Sequence, residues 1–237
     1  PRFMAGLSLG YEAAEDRAHT LRNDHDSRYV DVYGMCSSGD WQHAFTLGVG
    51  MHDIETNRNF HVADNAYHAN GETDARTFNF SYEVSRLFRL SSTSSWAPVF
   101  SAELTYAEID AFSEKGIDNA GLQLDKQDAL HATLGLGARY MKNFVLFAHA
   151  PHATWWAQAM VNLHLGDQES DINAHFQANP NAPFTLHAIE RDKVGLGLDV
   201  GVNVPLNRSW DVYGSMGSDL RPGSSEVHVN VGVRYNF

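Results

Sequence analysis

The chain holds a single cysteine, Cys36, in 237 residues. It can form no intramolecular disulfide and no metal site built on paired thiolates. Long apolar runs are also missing. A membrane-spanning helix needs roughly 20 consecutive apolar residues, and the best stretches, such as residues 144–148, are far too short. Basic residues are scarce, with 17 Lys and Arg against 29 Asp and Glu and a formal net charge of -12. That balance excludes nucleic acid as the expected partner, because phosphate binding needs clustered cations. Apolar residues make up 43% of the chain and the mean hydropathy is -0.35, too polar for a helical membrane protein. It is not too polar for a membrane barrel, whose strands average a lipid-facing and a lumen-facing side. The chain opens on Pro1 and carries no export signal. We read it as a piece of a longer precursor, so the missing signal excludes nothing.

What the sequence does have is alternation. Val227, Val229, Val231, Val233, Tyr235 and Phe237 interleave with His228, Asn230, Gly232, Arg234 and Asn236. Successive strand side chains point to opposite sides, so this is a strand with one apolar and one polar face. The same pattern recurs at residues 3–11, 45–51, 78–84, 100–106, 132–140, 157–165 and 194–204, and less cleanly at 28–36 and 210–216. These segments give about ten strands in one all-β domain, residues 1–237.

The connections separate a membrane barrel from a soluble sandwich. Residues 37–40, 91–95, 142–143 and 205–209 read as short turns; residues 13–27, 56–73, 113–122, 166–185 and 217–225 read as longer polar loops. Short turns at one end and long loops at the other predict a transmembrane antiparallel up-and-down β-barrel of the bacterial outer membrane. Trp41, Trp96 and Trp210 follow short turns in phase with the apolar face, and Phe88 and Tyr140 precede them. They form a candidate aromatic girdle at the periplasmic interface. Glu12, Glu83, Glu103, Arg139, Asp199 and Arg234 fall on the opposite, lumen-facing side, since charge cannot face lipid cheaply.

Several stretches resemble the C-terminal translocator domain of autotransporters, the β-barrel of type V secretion. Phe3-Met-Ala-Gly-Leu-Ser-Leu-Gly-Tyr11 and Arg28-Tyr-Val-Asp-Val-Tyr-Gly34 are similar to its early strands. Residues 96–106, followed by Ala111-Phe-Ser-Glu-Lys-Gly116, resemble its most recognisable stretch. Leu134-Gly-Leu-Gly-Ala-Arg139, Val194-Gly-Leu-Gly-Leu-Asp199 and Val231-Gly-Val-Arg-Tyr-Asn-Phe237 resemble its later strands. The resemblance implies a monomeric twelve-stranded barrel that anchors an N-terminal passenger in outer-membrane lipid and supports its export. It also implies insertion by the barrel assembly machinery, with Val231, Val233, Tyr235 and Phe237 as the assembly signal. About ten strands are visible, so the first two strands, a lumenal helix and the passenger are expected ahead of Pro1.

Catalytic motifs are weak. Gly6-Leu-Ser-Leu-Gly10 matches a hydrolase elbow, but such an elbow needs a strand, a sharp turn and a helix; Ser8 reads as a small lumen residue. His149 and His152 lack an adjacent carboxylate set for a metal. His52 and Asp53 read as a hydrated rim pair. No catalytic residue, metal or cofactor is expected. Two rival readings are a ten-stranded outer-membrane protease or lipid-modifying enzyme, and a porin or adhesin barrel. Deleting Phe237 is expected to lower the amount of heat-modifiable barrel in outer membranes; an unchanged amount would remove its assembly role.

Overall fold

The computed structural model describes residues 2–18, 20–62, 65–117, 120–146, 152–167, 171–186, 192–207 and 209–235. Its strands are β1 (Arg2–Ala18), β2 (Leu21–Ser38), β3 (Trp41–Val62), β4 (Asn65–Arg86), β5 (Phe88–Arg89), β6 (Ser94–Ile109), β7 (Phe112–Ser113) and β8 (Leu122–Leu124). They continue as β9 (Gln127–Phe144), β10 (Ala153–Gly166), β11 (Ile172–Phe176), β12 (Phe184–Leu186), β13 (Val194–Pro205), β14 (Trp210–Arg221) and β15 (Ser224–Tyr235).

Ten of these build one curled antiparallel wall in the order β1-β2-β3-β4-β6-β9-β10-β13-β14-β15, with β5 paired to β6. They are the ten strands the alternation marks. Each pairs with the next wall strand in sequence, the up-and-down meander that short turns permit. Gly39 takes φ 61 in the β2–β3 turn, and Gly223 takes φ 75 after Pro222 in the β14–β15 turn. The Pro-Gly pair suits a type II turn, whose third position needs positive φ. Among the described residues β1 and β15 do not pair with each other, so the wall has two free edges.

Register keeps the two faces separate across the whole wall. One apolar row runs Leu9, Val30, Val49, Phe78, Tyr106 and Leu130 through six neighbouring strands. Among the described residues nothing packs on this face; Leu9 is 75% exposed and Val231 77%. A soluble sandwich would bury that face against a second sheet. Instead, Val99 is the largest fully buried side chain among the described residues. The apolar surface is made for lipid.

On the opposite face, rings lie over glycines. Tyr33 sits directly across from Gly6, Trp156 from Gly201 and Tyr213 from Gly232. A Cβ on any of these glycines would collide with the ring. Their missing side chains let large aromatics lie flat along the wall.

The structure corrects the reading of the connections. Residues 13–18, 21–27, 56–62 and 65–73 are strand, not loop. β1 to β4 run through them, so that β3 and β4 each run 22 residues. At roughly 3.3 Å per residue and a tilt near 40°, about ten residues cross a lipid band of about 25 Å. The rest of each long strand stands beyond the band. There both faces meet water, polar residues serve as well as apolar ones, and the hydropathy signal disappears. Residues 142–143 are not a turn either, because β9 runs to Phe144 and β10 begins at Ala153. The segments 113–122 and 166–185 contain strands of a second, four-stranded sheet, ordered β12-β11-β8-β7. In the last long connection, residues 217–225, β14 and β15 run almost to the Gly223 turn.

Gly201→Val should force Trp156 off the wall and cost about 1–3 kcal/mol, as overpacking does. Gly214→Ala is the control, since its Cβ would meet only ordinary contacts. Urea unfolding of the purified protein checks the difference, and equal stability of the two variants would contradict it.

Candidate functional site

The polar face is a continuous hydrogen-bonded surface. The Arg139 guanidinium donates to Glu83 at 2.7 Å and to Gln158 Oε1 at 2.6 Å. It also lies over the Trp156 ring, 5.7 Å from its centroid. Tyr29 donates to Glu12 at 2.9 Å and Ser8 donates to Asp31 at 3.2 Å. Asp199 and His228 meet at 3.1 Å, and Arg234 lies over Tyr213 at 5.6 Å. Glu103 stands between Ser81 and Thr133 in register on the same face. The structure therefore brings Glu12, Glu83, Glu103, Arg139, Asp199 and Arg234 to one side of the wall. In a closed barrel that side lines the lumen, where ions keep water or a partner.

The short-turn end carries the aromatic residues on the apolar face. Arg86 lies over Trp41 at 5.5 Å. Phe88 stacks on Trp96 at 5.2 Å, and Tyr140 meets Trp155 at 5.4 Å and Trp210 meets Tyr235 at 4.8 Å with tilted rings. The sequence reading missed Trp155, although the alternation from Ala157 extends back to it. Phe88 belongs to β5, split from β4 by Leu87. Val231, Val233 and Tyr235 face outward on β15, the last strand of the wall. Phe237 lies outside the described residues.

At the other end, the small sheet docks on the β3–β4 hairpin. Arg58 donates to Glu114 twice, from Nε at 2.8 Å and Nη2 at 2.5 Å. The Glu114 carboxylate, 8% exposed, also accepts from the Leu122 N–H at 2.9 Å. Asn70 and Lys115 exchange two backbone hydrogen bonds, of 3.0 and 2.7 Å. The Phe112 ring fills the space over Gly71. The Lys126 ammonium donates to Glu108. Beyond the lipid band, the Arg17 guanidinium holds the Glu15 carboxyl below the ordinary carboxylate range.

Candidate catalytic groups do not converge. Ser8 sits mid-strand with Asp31 as its partner. His52 binds Ser27 and Thr77 on the polar face, whereas Asp53 pairs with Arg28 on the other. Alternation separates the two neighbours. His149 lies outside the described residues. Among the described residues, no group of three His, Cys, Asp or Glu side chains is placed to hold a metal.

Wall, faces and aromatic band now stand together with the comparisons. The family model of the autotransporter beta-domain matches residues 1–217. This chain belongs to that family. The autotransporter β-domain shares its fold with the translocator domain of autotransporter NalP from Neisseria meningitidis, at 16% identity and a TM-score of 0.74. That match covers 99% of this chain and 76% of NalP's. The beta domain of the Bordetella autotransporter BrkA matches at 16% identity and a TM-score of 0.65, covering 99% of this chain and 84% of that one. No curated protein matches the chain. The family is that of outer-membrane translocators for passenger export.

Sequence reasoning also missed Arg58 and Glu114, which are 56 positions apart. The one available signal was the stretch 111–116, which stood out without a role. Replacing Arg139 with Ala should cost the β-domain about 1 kcal/mol through Glu83, a modest value for a partly hydrated pair, with side chains 24% and 30% exposed. A double-mutant cycle with Glu83→Ala measures it; additive losses would mean the two do not interact.

Proposed function

We propose that this β-domain holds an N-terminal passenger in the bacterial outer membrane and gives it a route to the cell surface, with no chemistry of its own. The family match over residues 1–217 carries this reading, and the geometry supports it. The apolar face serves outer-membrane lipid. The polar face, continuous across ten strands, serves the domain's own passenger as an extended chain or helix. The barrel assembly machinery takes the terminal strand, and the domain works as a single barrel. In lipid, bare strand edges are not tolerated. The edges of β1 and β15 must therefore be covered, by each other or by further strands.

The enzymatic rival needs a nucleophile or an activated water with a base beside it. Ser8, His52 and Asp53 stand apart, so nothing in the described wall favours it. The reading is tested on cells making the full-length protein. External protease should remove the passenger while the barrel stays in the outer-membrane fraction. A passenger that stays protected beside a correctly inserted barrel would overturn the reading. A purified protein that hydrolyses peptides would revive the rival.

A further inference from the structure

We infer that the lipid face carries a seat for one phospholipid, a furrow floored by Ala138, Ala157 and Ala159 and ending at Lys142 on its short-turn side. The inference concerns the fit of the wall to its membrane and does not depend on passenger export.

The furrow follows from side-chain size. Alternation turns Ala138, Tyr140 and Lys142 of β9 outward, beside Trp155, Ala157 and Ala159 of β10. Ala159 stands opposite Ala138, and Ala157 opposite Tyr140. Three methyl groups therefore meet at one place on the lipid face. The Trp96 and Tyr140 rings bound them on one side, Leu198 and Met216 on the other. The hollow between measures about 670 Å³. A second hollow of about 370 Å³ joins it at Val200 and Met216 and runs past Gly214 to Trp155. From Trp155 to Ala159 is roughly 13 Å of strand. The two hollows make one long, narrow depression that starts at the aromatic band and runs toward the middle of the lipid.

Its position and its charge name the occupant. Ala138 and Ala159 are exposed, and the depression is continuous with the face that meets lipid. What fills it there is a hydrocarbon chain. Lys142 supplies the second half of the site. It is the register partner of Trp155 and lies one rung beyond Tyr140, at the level where aromatic rings mark the headgroups. Lys115 and Lys126 each pair with a glutamate, whereas among the described residues Lys142 has no carboxylate partner. An unpaired ammonium at the edge of the lipid band is complementary to a phosphate. A lysine that merely snorkels would serve any passing lipid. Here the alanine floor begins just inward of it, so that phosphate and acyl chain of one molecule are held together. The site thus takes a phospholipid of the leaflet on the short-turn side. It is built like other ligand sites, apolar over most of its area with one polar group that fixes orientation.

The test reconstitutes the full-length protein in vesicles of phosphatidylglycerol and phosphatidylcholine, extracts it in mild detergent and counts retained phospholipid by native mass spectrometry. The parent protein should keep one phospholipid. Ala138→Leu combined with Ala159→Leu fills the floor and should lower the retained fraction severalfold. Ala102→Leu, on the same face of β6 but outside the furrow, should leave it unchanged. Lys142→Gln should also lower it severalfold, and Lys142→Arg should keep it. A parent that retains no phospholipid, or equal retention in the parent, the leucine pair and Lys142→Gln, would overturn the seat. A parent that emerges as a lipid-free dimer would give the furrow to a second copy and overturn it as well. Should the leucine pair fail to insert, Lys142→Gln decides the question, because its exposed side chain can change without disturbing the wall. Unchanged retention in that variant would overturn the seat.

Discussion

Lipid offers no partner to a backbone N–H or C=O, and the wall is organised around that fact. Every strand within the bilayer must be satisfied by its neighbours. The result is a meander of ten strands, each paired with the next along the wall. The pleat then fixes everything else. Half of the side chains go to lipid and half to the lumen, with nothing between to form a core. The apolar row from Leu9 to Leu130 and the polar cluster of Glu83, Arg139 and Gln158 are two sides of the same hydrogen-bonded ladder. Free edges at β1 and β15 are the places where this requirement remains open.

How much of this was legible in the sequence follows from where water lies. Between the aromatic band and about the level of Met51, one face meets lipid and the other the lumen, and the period of two is written plainly. Ten strands and both faces could be read there. Beyond Met51 the contrast vanishes. Asp26, Asp53 and Asp74 stand in one cross-strand row, and Glu15, Asp24, Glu55 and Glu72 in the next. Such residues read as loop, yet they extend the strands, because pairing continues wherever the neighbouring strand continues. Opposed carboxylates cost some stability, and Arg17, Arg22, Arg28 and Lys115 pair with several of them.

The small four-stranded sheet was illegible for a different reason. Its strands are two to five residues long, too short for a pattern to show. Its decisive contact joins Arg58 to Glu114 across the fold, and no local spacing announces such a pair. Trp155 was missed more simply: the strand was begun too late. The candidate site was thus readable where it depends on periodicity and hidden where it depends on tertiary approach.

The glycine–aromatic pairs have a consequence for how the wall is put together. A slip of one residue between β10 and β13 would turn a lipid face inward. A slip of two would preserve the faces but set Trp156 against Asp199 or Asn203 in place of Gly201. The indole could then not lie down. Tyr33 would meet Ser8 or Met4, and Tyr213 would meet Asn230 or Arg234. Hydropathy is blind to that second error. The rings and their bare partners are keys cut for single positions, so each of these three seams proofreads its own alignment as the strands are laid side by side.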